Sequence, residues 1–146
     1  MIAQDSCPVG PASGGEPVPS LTLDHVQLAS PPGGEATARR FYGELLGLAE
    51  LEKPTPLRAR GGVWFALADG RQLHVGVEDR FVPAAKAHPA LAAADARTLR
   101  TLADRLTGAG VRVDWDTALP DVVRFYTADP FGNRLELLAA GSQAAG

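Results

Sequence analysis

Three histidines, at positions 25, 74 and 88, and a carboxylate at Glu136 are the residues of this chain whose types and spacing could do chemistry. His25 and His74 are 49 residues apart, and His88 and Glu136 are 48 apart. Imidazole nitrogens with a carboxylate oxygen suit a divalent transition metal such as iron, nickel, cobalt, manganese or zinc. Three or four protein ligands would leave coordination positions open to water or substrate, which marks a catalytic rather than a structural metal. The single cysteine, Cys7, excludes an internal disulfide and any multi-cysteine zinc cluster. A metal site must therefore be built from His, Asp and Glu.

Such ligands need rigid elements to hold them. Leu21 to Ser30 reads as a strand carrying His25, broken by Pro31-Pro32-Gly33-Gly34. Ala38, Phe41, Tyr42 and Leu45 then recur at the spacing of one helix face, and Gly47 stands where a left-handed stop belongs. Leu48–Glu52, Gly62–Ala68 and Gln72–Val77 read as three strands, the last two joined at Asp69-Gly70. After a polar connector the order returns. His88–Ala93 reads as a strand and Asp95 as an N-cap, followed by a helical stripe at Leu99, Leu102, Ala103 and Leu106. Val111–Trp115, Val122–Thr127 and Arg134–Leu138 read as strands. Both halves thus run strand, helix, strand, strand, strand. The two helical stripes are offset by 61 residues, His25 and His88 by 63, and His74 and Glu136 by 62. Each half alone is too small for a good core, so two must share one, within a chain or between chains.

Strand parity sorts the polar residues, because successive side chains point to opposite faces. His25 and Gln27 share one face of the first strand; His74 lies with Gln72 and Gly76, and Glu136 with Arg134 and Leu138. The opposite, purely apolar faces are seats for the two helices. If the two sheets curl toward each other, His25, His74, His88 and Glu136 converge in one cavity. Arg124 and Tyr126 share a face of the seventh strand, and either Arg124 or Arg134 could hold an anionic substrate. Trp64, Phe65 and Trp115 serve either a substrate pocket or the core. Arg58 and Arg60 read as solvated loop residues.

The chain has 146 residues, a net charge of −3 and 45% hydrophobic residues, which fits one folded domain. The mild acidity argues against general nucleic-acid binding. No run approaches the length of a membrane span, and the start lacks the basic and apolar regions of a secretory signal, so a cytoplasmic location is expected. Residues 1–20, with four prolines and three glycines, are expected to be a flexible tail, and residues 142–146 a second one. No phosphate-binding glycine loop or nucleophile elbow occurs.

The segments ARRFYGELLGL (38–48) and ADPFGNRLELL (128–138), with a His-bearing strand opening each half, resemble the vicinal oxygen chelate superfamily. The D-P-x-G-N-x-x-E-L form of the last hairpin is the more specific of the two. The resemblance covers about residues 21–141. It implies an α+β fold of two tandem βαβββ modules (21–78 and 88–141) forming a cup-shaped half-barrel of mixed β-sheet with helices outside. It implies metal ligands at His25, His74, His88 and Glu136. His74 departs from the glyoxalase pattern, which has Glu there, and some relatives have Gln. His25, His88 and Glu136 alone reproduce the two-His-one-carboxylate set of extradiol dioxygenases. The implied function is a small metal-dependent lyase, isomerase or dioxygenase acting on an oxygen-chelating small molecule. Glu136 serves as ligand or general base, and Arg124, Tyr126, Trp64 and Arg134 contact the substrate. The alternative is a metal-free protein that sequesters a ligand, of the bleomycin-resistance kind. A homodimer is implied in either case.

Overall fold

The computed structural model describes residues 20–141; both expected tails, apart from Ser20, and Cys7 with them, lie outside the described residues. Strand β1 (His25–Ser30) leads through a Pro-Gly turn into helix α1 (Glu35–Ala38), which continues as a π-helical segment (Arg39–Leu45). Strands β2 (Ala49–Leu51), β3 (Val63–Ala66) and β4 (Gln72–Val77) complete module one. Module two repeats the order with β5 (Ala90–Ala93), α2 (Ala96–Gly108), β6 (Asp114–Asp116), β7 (Arg124–Ala128) and β8 (Arg134–Ala139). The sheets have the orders β1-β4-β3-β2 and β5-β8-β7-β6. In each the first strand runs parallel to the last and the remaining pairs are antiparallel. The expected α+β architecture of paired βαβββ modules is therefore present.

The elements follow local chemistry. Asp95 caps α2 as expected, its carboxylate accepting from the Thr98 N–H at 2.7 Å. Gly47, beyond the π-helical segment, has φ 75°, the left-handed stop that the sequence indicated. Three expectations need correction. The first strand begins at His25 rather than Leu21, and Leu21 is almost fully exposed. A 3₁₀ helix over Thr55–Arg60, started by the φ-fixing Pro54 and Pro56, stands where no regular element was expected. Third, β5 begins at Ala90, so His88 precedes the strand instead of lying in it. Pro89 has no N–H to give the ladder and here serves only as an acceptor, its carbonyl taking the Glu136 N–H at 3.1 Å.

One core joins the modules. Phe41 and Tyr42 of the π-helical segment, Phe65 and Leu73 of module one, and Leu99, Leu106, Phe125 and Leu135 of module two belong to a single buried cluster. Phe65 was an open choice between pocket and core and is core. Helix α2 lies against β5, β8 and the π-helical segment. The faces of the sheets away from this core carry His25, His74, Arg124 and Glu136, while Ser30 and Thr127 share the parity of the core residues Leu28 and Phe125. Among the described residues no helix is long and apolar enough to cross a membrane.

Candidate functional site

On module one the β3–β4 register puts Trp64 directly opposite His74. Side chains so placed share a face and touch. The indole and imidazole stack with centroids 3.9 Å apart and planes 1° from parallel. His25 stacks on the other side of His74 at 4.5 Å and 19°. His74 is thus the middle layer of a three-ring column, 5% exposed. Its Nε2 lies 2.8 Å from Gln72 Oε1. Burial holds the His74 pKa below the ordinary imidazole value; repulsion from His25 and Lys53 adds to this, and Asp24 opposes it. His25 is more open, and its Nδ1 lies 2.8 Å from Asp24 Oδ1.

On module two, Glu136 of β8 is 7% exposed and has partners at both oxygens. Oε2 lies 3.1 Å from His88 Nε2, and Oε1 accepts from Arg124 Nη1 at 3.2 Å. Arg124 also donates from Nη2 to Asp116 Oδ2 at 3.2 Å. Burial works against the Arg124 charge, but the Glu136 hydrogen bond and the Asp116 carboxylate outweigh it and raise the pKa. The Arg124 Nε–H is buried without an acceptor. Tyr126 packs edge-on to His88 at 5.4 Å, with the Arg134 guanidinium 4.1 Å above its ring.

The His88 tautomer is fixed by its other partner. Nδ1 faces the Lys86 carbonyl at 2.9 Å, and a carbonyl only accepts, so Nδ1 carries the proton. With Nδ1 donating to Lys86, Nε2 donates to Glu136 Oε2 when it carries a proton; without that proton it sets a lone pair beside a carboxylate oxygen. That edge attracts a cation. Two neighbouring ligands of an octahedral ion, each bonded at about 2.1 Å, lie about 3 Å apart, and the observed separation is 3.1 Å. The donors at His88 and Glu136 fit a divalent metal. The His25–His74 pair does not fit as it stands. A metal lies in the plane of each imidazole that binds it, and two stacked, nearly parallel planes do not meet within bonding reach. His25 alone meets the requirement, with Nδ1 held by Asp24 and Nε2 left for a ligand role.

The four expected ligands therefore form two pairs within the chain, not one quartet. Among the described residues no group of three or more His, Cys, Asp or Glu side chains is placed to hold a metal. Arg124, Tyr126 and Arg134 gather around Glu136, whereas Trp64 belongs to the His74 column; Trp115 is 47% exposed and packs edge-on to Phe125. Sequence reading missed Asp24, Asp116 and the Lys86 carbonyl. Asp24 and Lys86 could have been noticed as near neighbours of histidines, but Asp116 gave no signal before β6 was paired with β7.

The sequence profile of the Glyoxalase/Bleomycin resistance protein/Dioxygenase superfamily matches residues 22–137. Among solved structures, a protein of Bacillus anthracis described as belonging to the glyoxalase family is 43% identical. That match covers 84% of this chain and 97% of the other, with a TM-score of 0.78. A glyoxalase/dioxygenase of Nostoc punctiforme is 21% identical over 84% of this chain and 97% of its own, with a TM-score of 0.67. A lactoylglutathione lyase of Agrobacterium tumefaciens is 19% identical over 86% and 96%, with a TM-score of 0.60. The last two show a shared fold. No curated protein matches the chain.

Proposed function

The chain belongs to the Glyoxalase/Bleomycin resistance protein/Dioxygenase superfamily, and from that premise we propose that it is a metal-dependent enzyme acting on a small molecule with neighbouring oxygens. The observation that carries this reading is the His88–Glu136 edge, with Nε2 and Oε2 3.1 Å apart and the His88 tautomer fixed by Lys86. His25, His88 and Glu136 are the proposed ligands, and His74 keeps its stacking place. A divalent ion there would supply Lewis acidity to two adjacent substrate oxygens. The chain's own residues do the rest. Arg124 orients Glu136 Oε1 and Asp116 Oδ2 at the edge of the site. Glu136 Oε1, shared with Arg124, is the oxygen positioned to hold a substrate proton. Tyr126 and Arg134 form one wall and the Trp64 column the other.

Because one chain holds two pairs, the proposed site is completed in a homodimer, His25 of one protomer meeting His88 and Glu136 of its partner. The second reading, a metal-free ligand-sequestering protein, draws on the Trp64–His74–His25 column, whose flat rings suit a planar ligand. Metal analysis of protein purified without a histidine tag separates the two. Stoichiometric metal, lost in Glu136→Ala and His88→Ala, supports the enzyme. Absence of bound metal, with no uptake of added iron, nickel, cobalt, manganese or zinc, overturns it.

A further inference from the structure

Beside Trp64, on the same face of module one, lies a cavity of about 180 Å³ bounded by Gln27, Lys53, Leu57, Arg60, Gly61, Val75, Gly76 and Val77. Its shape depends on glycines. A side chain on Gly62 would place Cβ 2.3 Å from the Val75 carbonyl, so only glycine lets the β3 entry loop close onto β4. A Cβ on Gly76 would lie 2.6 Å from Gln27 Nε2, so the bare Gly76 backbone lets the Gln27 amide lie across β4.

Two cations, Lys53 and Arg60, rim the cavity. Neither Lys53 nor Arg60 forms an ion pair among the described residues, although Arg58, Arg71, Arg112 and Arg124 all do. Lys53 is half-buried and donates to the Gly61 carbonyl, which positions the ammonium and leaves two of its three donors. Arg60 adds a guanidinium with five donors. The Glu35 carboxylate is turned to the Gly62 N–H at 3.0 Å, which with weaker help from the Arg39 and Lys53 charges lowers its pKa, and it offsets the rim charge only in part. Two cations outside any ion pair and an amide around a cavity this small match the chemistry of an oxyanion.

We infer that this corner is an oxyanion-binding subsite, in which Lys53, Arg60 and Gln27 hold a carboxylate or phosphate group of the ligand next to Trp64. That the anion belongs to a substrate rests on the function proposed above; that the corner binds an anion does not. Arg60 is exposed, as expected, and takes a ligand role in addition. Arg58 differs, since it is spent on Glu52 and on the Lys53 carbonyl.

The test uses Trp64 as its reporter. In full-length Trp115→Phe protein stripped of metal with EDTA and dialysed, Trp64 is the remaining tryptophan. Its emission is followed while inorganic phosphate, or separately malonate, is added at low ionic strength, with sodium chloride of equal ionic strength as the blank. The expected result is a saturable change with at least one of the two. Phosphate alone identifies a phosphoryl group, malonate alone a carboxylate, and both a general oxyanion site. Arg60→Gln and Lys53→Gln should each weaken binding about tenfold or more, and Lys53→Arg should retain it. Arg60 is exposed, so Arg60→Gln keeps the test valid if Lys53→Gln disturbs the Gly61 loop. No saturable response to either anion, or unchanged affinity in Arg60→Gln, overturns the inference. Because the protein is metal-free, anion binding that survives alongside a failed metal titration leaves this inference standing and removes only the metal reading.

Discussion

The Tyr42 hydroxyl donates to Asp129 Oδ2 at 2.6 Å, tying the π-helical segment of module one to the last hairpin of module two across 87 residues of sequence. Tyr42 is fully buried and Asp129 nearly so. Burial pushes the Tyr42 pKa well above the ordinary phenol value, and the Asp129 carboxylate pushes it further, so the hydroxyl remains a donor. Asp129 also accepts from the Phe131 and Asn133 N–H groups and from Asn133 Nδ2. Asn133 in turn donates to the Ala29 carbonyl of β1 at 2.7 Å. Tyr42→Phe leaves a buried carboxylate short of one partner and should cost about 1.5–3 kcal/mol. Urea unfolding checks this. A loss below about 0.5 kcal/mol would show that the bond joining the modules carries no net stability.

His74 gives stability a pH dependence of definite sign. Its folded pKa lies below the ordinary 6.5, chiefly through burial. The unfolded chain takes up this proton near 6.5 and the folded chain only at lower pH. The stabilisation is therefore intact above 6.5 and is lost as pH falls from there through the folded value. Between about pH 7.5 and 5.5 the Tm of the wild type should fall more than that of His74→Gln. Equal falls in the two proteins would mean that the buried ring is not what the acid attacks.

Much of this was legible in the sequence because it is periodic or local. The strand–helix–strand–strand–strand order and the Asp95 cap follow from spacing and local motif alone. The D-P-x-G-N turn was legible as a motif, but its role was not, since the partners of Asp129 and Asn133 include Tyr42 and Ala29 in the other module. The place of His88 depended on whether Pro89 would tolerate a ladder, and spacing says nothing of that. Most instructive is the ligand set. Parity put His25 and His74 on one face correctly, yet sharing a face in neighbouring strands made them stack. Ring orientation is a tertiary result, set here by Trp64 on the far side of His74.

Arg124 competes for the carboxylate that a metal would use. It donates to Glu136 Oε1 at 3.2 Å, and its side chain is only 16% exposed. In Arg124→Gln the charge beside Glu136 is removed, and metal affinity should rise about tenfold, since like charges a few ångströms apart repel. Stability without metal should fall, because Glu136 and Asp116 both lose their cation. Isothermal titration with nickel or zinc, beside thermal unfolding of the apo protein, separates the two effects. Weaker metal binding in the variant would instead make Arg124 a support of the site.

A site shared between protomers can be tested by mixing. If His25 of one protomer faces His88 and Glu136 of the other, His25→Ala and Glu136→Ala dimers are each dead. After unfolding and co-refolding of equal amounts, half of the dimers are mixed. One of the two sites in a mixed dimer combines an intact module one with an intact module two, while the other carries both lesions. Bound metal should therefore return to about a quarter of the wild-type level, from neither parent having any. If instead each site lies within one chain, every site in the mixture keeps one lesion and no metal returns. Light scattering on the same samples checks the dimer itself, since recovery by a monomeric species would contradict the arrangement.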